Sequence, residues 1–360
     1  EQAGLRHQSL WSSYAVAEML ILQDELVSAR KSFSVLAGAG KATGDVELQG
    51  ASLNYLALTY LLQGDLRTAR RNYLDLIPFL SQHELKHQLA TVYHNLGGTS
   101  MERGELMEAL QYFERAIDYD LQVNPDVSVS ETLEEIAAIH SIRGHCDTAF
   151  RFLKKALDDL EEIGADTELG SGDRARGRIL HRMGNCFSDL GDLERAADFY
   201  VQALEFRRKS NDRRGTVQTL EKLGTVSRQL GQVERALTIH RESLATHRAR
   251  GDALGEVSSL IEIGNDQLTL QDFQAALRTS ESAATLAASQ SFRGFEGLAL
   301  LLRARAAAGM GDVLIAEQSF ETASEIFRLS RSLIHQLEVQ TAKATMYFAR
   351  EMDAVALQEA

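Results

Sequence analysis

Small and aromatic residues recur along this chain at a fixed interval. The run Gln63-Gly64-Asp65-Leu66-Arg67-Thr68-Ala69 is echoed by Arg103-Gly104-Glu105-Leu106-Met107-Glu108-Ala109. Later come Leu190-Gly191-Asp192-Leu193-Glu194-Arg195-Ala196 and Leu230-Gly231-Gln232-Val233-Glu234-Arg235-Ala236. The turn positions are Asp24, Gly64, Gly104, Gly144, Gly191, Gly231, Gln271 and Gly311, spaced by 40 residues except for one interval of 47. A partial copy begins at Glu351. Such a repeat precedes every other reading, because self-similarity at this period marks stacked supersecondary units.

Each unit reads as two helices joined by the turn. Five residues after it stands an alanine: Ala29, Ala69, Ala109, Ala149, Ala196, Ala236, Ala276 and Ala316. Four further on there is usually a ring, at Phe33, Tyr73, Phe113, Tyr200 and Phe320. Seven residues before the turn a glycine often follows an apolar residue, as at Gly97, Gly184, Gly224 and Gly264. Small residues let two helix backbones approach, and the ring fills the space beside them. Eight pairs are predicted, then a ninth first helix over Arg331 to Arg350 with Asp353 to Ala360 as the stub of its partner.

Composition agrees with an all-α chain. Average usage puts about 18 prolines in this length, and there are two, Pro78 and Pro125. No run approaches about 20 uninterrupted apolar residues, so no membrane insertion is expected. The net charge of −13, nearly all within residues 1–170, argues against nucleic acid as a partner. Two cysteines, Cys146 and Cys186, make no disulfide framework, which points to a reducing, cytoplasmic compartment. The N-terminus has neither a signal-peptide pattern nor a methionine, and the last repeat stops early, so the chain reads as a fragment of something longer.

The set of positions resembles the tetratricopeptide repeat (TPR) family, best at Tyr93, Leu96, Gly97, Ala109, Phe113 and Ala116. The resemblance covers essentially all of residues 1–360. Its period of 40 is similar to that of Pins-type scaffolds and of bacterial TPR sensors and regulators. It implies one right-handed superhelical solenoid of about eight helix-turn-helix repeats plus a partial ninth, with the first helix of each pair lining a concave face. Repeats 1–4 (1–163) form an acidic half, 164–174 a lengthened inter-repeat turn, and 175–360 hold repeats 5–8 and the partial ninth. The lengthened turn reads as a tolerated insertion or as a hinge. The acidic run before it, Asp158 to Glu162, reads as a solvated helix end.

Three features invite a chemical reading. His83-Glu84-Leu85-Lys86-His87 fits the zinc-peptidase pattern, which needs both imidazoles on one continuous helix. Here it falls on an inter-repeat turn, so no metal site is expected. Gly38-Ala39-Gly40-Lys41-Ala42-Thr43 imitates a P-loop without the first glycine or a preceding strand, and reads as a helix end. Cys146 and Cys186 fall in apolar columns and read as core. No catalytic constellation and no cofactor site emerges, so an enzyme is not expected.

The resemblance implies that a bound peptide lies on the first helices. Carried over position by position, it names Asn54, His94, Asn95, Arg178, His181, Arg182, Asn185, Lys222, Arg228, Asn265 and Arg305 as groove residues. Trp11, Tyr14, Leu58 and Met101 are apolar anchor candidates, although Trp11 and Tyr14 read equally well as packing of the first repeat. Asn185 and Asn265 suit a peptide backbone, because an amide donates and accepts at once. Arg178, Arg182, Asn185 and Lys222 loosely match a carboxylate clamp, with Thr225 and His181 departing from it. The leading expectation is a scaffold or adaptor holding a peptide or helix of a partner protein, acidic where it meets the arginines. Exposed terminal repeats offer a route to homo-oligomers. The runner-up is a sensory or regulatory segment of a bacterial signalling protein whose output domain lies outside these residues.

Overall fold

A computed structural model describes residues 2–124, 127–162 and 171–359. Its helices form two compact units, Glu1–Glu168 and Leu169–Ala360. The first holds α1 (Gln2–Leu22), α2 (Leu26–Thr43), α3 (Val46–Leu62) and α4 (Leu66–Gln82). It continues with α5 (Lys86–Glu102), α6 (Leu106–Val123), α7 (Ser130–Ile142) and α8 (Cys146–Glu162). The second holds α9 (Ser171–Asp189), α10 (Leu193–Lys209), α11 (Arg213–Gln229), α12 (Val233–Arg250) and α13 (Ala253–Thr269). Then come α14 (Phe273–Ser289), α15 (Arg293–Gly309), α16 (Val313–Leu329) and α17 (Leu333–Glu359). No strand occurs among the described residues. Within each unit consecutive helices pack in TPR-like pairs, four pairs in the first and four pairs with one further helix in the second.

The turns explain the period. Helices of 17 or 18 residues alternate with connections of two or three, and two of each span 40 residues over most of the chain. Every within-repeat turn puts one residue in the left-handed region: Asp24, Gly64, Gly104, Gly144, Gly191, Gly231, Gln271 and Gly311. A second series, Gly44, Glu84, Asn211, Gly251, Ser291 and Arg331, does so between repeats. A left-handed residue turns the chain back on the helix it leaves, as where Asp65 N–H donates to the Tyr60 carbonyl at 3.0 Å. The aspartate that often follows starts the next helix. Asp65, Asp272 and Asp312 accept from the backbone of Thr68, Ala275 and Ile315 at 3.0–3.1 Å.

Packing follows the two columns read from the sequence. All eight alanines are completely buried, and Phe33, Tyr73, Phe113, Tyr200 and Phe320 lie beside them in the core. Each such ring contributes about 1.5–3 kcal/mol by leaving water. The preceding glycine is needed because the ring occupies its Cβ volume. A Cβ on Gly97 would lie 2.6 Å from Phe113, and one on Gly184 2.6 Å from Tyr200. In the remaining repeats the ring position carries Leu153, His240 and Ser280, all buried.

Three expectations change. The helix after repeat eight does not break near Arg350 but runs unbroken from Leu333 to Glu359. No glycine stands at the turn position Glu351, and Ala354-Val355-Ala356-Leu357 propagates helix readily. Most of the lengthened turn at 164–174 lies outside the described residues, but its end is helical, since α9 starts at Ser171. Asp173 in that first turn is buried and pairs with Lys209 at 2.9 Å, a favourable place for a carboxylate. Asp159 is more than a solvated helix end. It accepts from Ser128 Oγ at 2.7 Å and from Val129 N–H at 3.2 Å, fixing the start of α7.

Candidate functional site

In the first unit α1, α3, α5 and α7 touch in sequence, and in the second α9, α11, α13, α15 and α17 do the same. These first-helix layers carry the residues named from the sequence.

The first unit has a cavity of about 700 Å³ bordered by Trp11 and Tyr14 of α1 and by Asn54 and Tyr55 of α3. Glu47, Glu84, Lys86 and His87 also border it. Tyr14 is buried and sits edge-on to Phe33 and Tyr55, at centroid distances of 5.5 and 5.6 Å. It is a packing residue with one side on the cavity. Trp11 lies 5.2 Å from Tyr14 and is only half-buried. Burial, then the Glu18 carboxylate beside it, pushes the Tyr55 phenol up to about 12. Asn54 is buried and accepts from the Asn95 amide at 3.0 Å. Leu58 is half-buried on the same helix, and Met101, also half-buried, packs against the core cluster that holds Phe113 and Ile136. His94 bonds Thr132 Oγ1 at 3.0 Å across the next repeat.

The second unit repeats that last link, with His181 3.1 Å from Thr219 Oγ1. Burial holds the His181 imidazole down to about 3, and the positive charges of Arg207, Lys222 and Arg182 add to the effect. The ring is therefore neutral chiefly because it is buried. Arg178 and Arg182 are half-buried, and Lys222 is exposed. The Asn185 carbonyl accepts from Tyr200 Oη at 2.8 Å.

Arg228, Asn265 and Arg305 meet at a second cavity, of about 380 Å³, with Leu268 and Thr269. Arg228 donates to Asp266 at 2.8 Å and to Glu262 at 2.7 Å. Arg305 is exposed and makes no ion pair with a described residue. Behind this cavity, Asp266 bonds His240 at 2.6 Å, and both are fully buried. These two partners are not among the residues named from the sequence, yet the signal was present. His240 stands in the ring column, and Asp266 in the column that elsewhere holds Ile139, Cys186 and Val226.

The zinc-type pattern is split by the fold. His83 caps α4, Glu84 is left-handed at φ 55°, and α5 begins only at Lys86. Among the described residues no group of three or more His, Cys, Asp and Glu is placed to hold a metal ion. The P-loop mimic lies in the last turns of α2, closed by left-handed Gly44. Cys146 and Cys186 are both buried. No helix of the described residues is long and apolar enough to cross a membrane.

Comparison with known proteins agrees with this architecture. Models of the family described as tetratricopeptide repeat match residues 88–162, 179–214 and 216–250. No curated protein sequence matches. Among solved structures, the apo form of RapI is similar at TM-score 0.68 and 12% identity, over 95% of this chain and 98% of that one. The apo form of the quorum sensor NprR from B. thuringiensis gives 0.61 and 13%, over 88% and 87%. A signal transduction ATPase with a tetratricopeptide repeat sensor, from Pyrococcus horikoshii, gives 0.54 and 16%, over 96% of this chain and 54% of that one. At these identities the likeness concerns the fold alone. With its family matches and its stacked helix pairs, the chain belongs to the tetratricopeptide repeat superfamily.

Proposed function

We propose that this chain is a non-catalytic protein-interaction module, a scaffold or adaptor whose first-helix layer holds a peptide or helix of a partner protein. The observation that carries this reading is the meeting of Arg228, Asn265 and Arg305 at one open cavity. Arg228 is held in place by Glu262 and Asp266, while Arg305 has its charge to spare. An incoming carboxylate can take a charge-assisted bond from Arg305, and Asn265 can hold the adjoining main chain. The half-buried Arg178 and Arg182 and the exposed Lys222 of the first-helix layer extend the same preference for an acidic partner.

The test is a peptide-library screen on the full chain, followed by Arg305→Glu. Acidic peptides that bind the parent and lose affinity in the variant support the reading; a library with no binder ends it.

A second reading, a sensory segment controlling an output domain, draws support from the fold likeness to a quorum sensor and to an ATPase with a repeat sensor. The gene sequence on either side of these residues separates the two. A cyclase, kinase or DNA-binding domain there favours the sensor.

A further inference from the structure

We propose that the cavity of the first unit binds a guanidinium-bearing, basic segment of a partner peptide, a charge preference opposite to that of the arginine-lined surface of the second unit. The inference rests on the peptide-binding reading above and names the chemistry of one part of that surface.

Three observations point to a cation. The cavity is bordered by aromatic rings, Trp11, Tyr14 and Tyr55, whose faces attract a guanidinium through their quadrupoles. Glu47 and Glu84 border the same space, against one lysine, Lys86, and the imidazole of His87, and Glu18 adds a carboxylate hydrogen-bonded to Tyr55. The surrounding unit carries nearly all of the net charge of −13, which draws a basic segment in and disfavours an acidic one. A purely apolar occupant would leave these carboxylates facing it without partners.

The shape adds a requirement. About 700 Å³ is more than one side chain needs, so a short stretch of peptide enters rather than an isolated arginine. Asn54 borders the cavity and its carbonyl already accepts from Asn95. Its amide nitrogen is left to donate to a peptide carbonyl, which fixes an extended main chain beside the rings.

Trp11 is the chain's single tryptophan, so its emission reports on this cavity alone. The full chain is titrated with three capped tetrapeptides of sequence Ala-X-X-Ala, where X is arginine, glutamate or leucine, and calorimetry follows in parallel. The arginine peptide should shift Trp11 emission saturably. It should weaken roughly tenfold in the double variant Glu47→Gln/Glu84→Gln, a loss of about 1.4 kcal/mol. It should keep its affinity in Arg305→Glu. Both glutamates are exposed, so the double variant folds as the parent does. An equal response to the leucine or glutamate peptide overturns the proposal, as does unchanged arginine affinity in the double variant. If library peptides bind through Arg305 while the arginine peptide leaves Trp11 unmoved, this inference fails and the groove reading stands. If the arginine peptide binds as described while no library peptide depends on Arg305, the groove reading fails at the second unit and this site stands.

Discussion

His240 Nδ1 lies 2.6 Å from Asp266 Oδ2, with both side chains completely buried. The other oxygen of the same carboxylate takes Arg228 at 2.8 Å. A charged group is thus placed where neighbouring repeats pack hydrocarbon, and it is tolerable only because each carboxylate oxygen is satisfied. The arrangement ties α11, α12 and α13 together behind the arginine that borders the second cavity.

Removing Asp266 should therefore cost more than removing an apolar residue of its size. Asp266→Ala leaves the half-buried Arg228 and the buried His240 each with a lost partner, and should destabilise by about 3–5 kcal/mol. The double variant His240→Phe/Asp266→Val restores the ring and apolar columns of other repeats, keeps Arg228 on Glu262, and should lie within about 2 kcal/mol of the parent. Urea unfolding followed by circular dichroism measures both. A double variant as unstable as Asp266→Ala would mean that the charged cluster holds the repeat together in a way that packing cannot replace.

Gly97 and Gly98 are adjacent in α5 yet should respond with opposite sign. A Cβ at Gly97 meets Phe113, so Gly97→Ala forces the ring or the helix to shift and should destabilise by about 1–3 kcal/mol. A Cβ at Gly98 meets nothing within 4 Å, so Gly98→Ala should gain up to about 1 kcal/mol of helix propensity. Paired thermal melts decide the point, and equal shifts would mean that the ring column does not control helix spacing.

Gln271 is left-handed at φ 60°, in a column where six other repeats use glycine. Gln271→Gly should stabilise by about 0.5–1 kcal/mol, the relief of backbone strain less the extra freedom of an unfolded glycine. A lower melting temperature in the variant would show that the side chain contributes more than the backbone costs.

His181 gives the second unit a pH dependence of known sign. Its imidazole titrates near 3 when folded, through burial first and neighbouring cations second, against about 6.5 when unfolded. Between those values the unfolded chain binds the proton and the folded one does not. Stability from this site is whole above about pH 6.5 and falls as the pH drops toward 3, by at most about 1.4 kcal/mol per unit. His181→Gln keeps a partner for Thr219 and should flatten that part of the stability profile. Identical slopes for parent and variant between pH 6 and 4 would remove His181 as the cause.

Charge reversal at Arg178 and Arg182 should weaken an acidic peptide by at least tenfold, or about 1.4 kcal/mol. Arg195→Glu is the control. Its side chain is held on a second helix by Asp192 at 2.5 Å and lies over the Phe187 ring. Equal losses from the two positions, measured by fluorescence anisotropy, would place the peptide elsewhere.

The primary sequence alone determined the repeat, and through it the fold. Turn glycines, buried alanines and rings are chosen by local geometry that every repeat must satisfy, so they recur at 40 residues and can be read without coordinates. The family resemblance also named Arg228, Asn265 and Arg305, three residues that border one cavity. What only the tertiary structure decided is the set of single departures from the pattern. Tyr14 reads along the chain equally as an anchor or as packing, and its place against Phe33 and Tyr55 is visible only in the fold. His240 and Asp266 stand in separate repeats, 26 residues apart, and neither explains the other until α12 packs against α13. Periodicity records what all repeats share, because each stacks on its neighbours in the same way. Pairing between unlike residues depends on which helices touch, and that is settled only when the layers close.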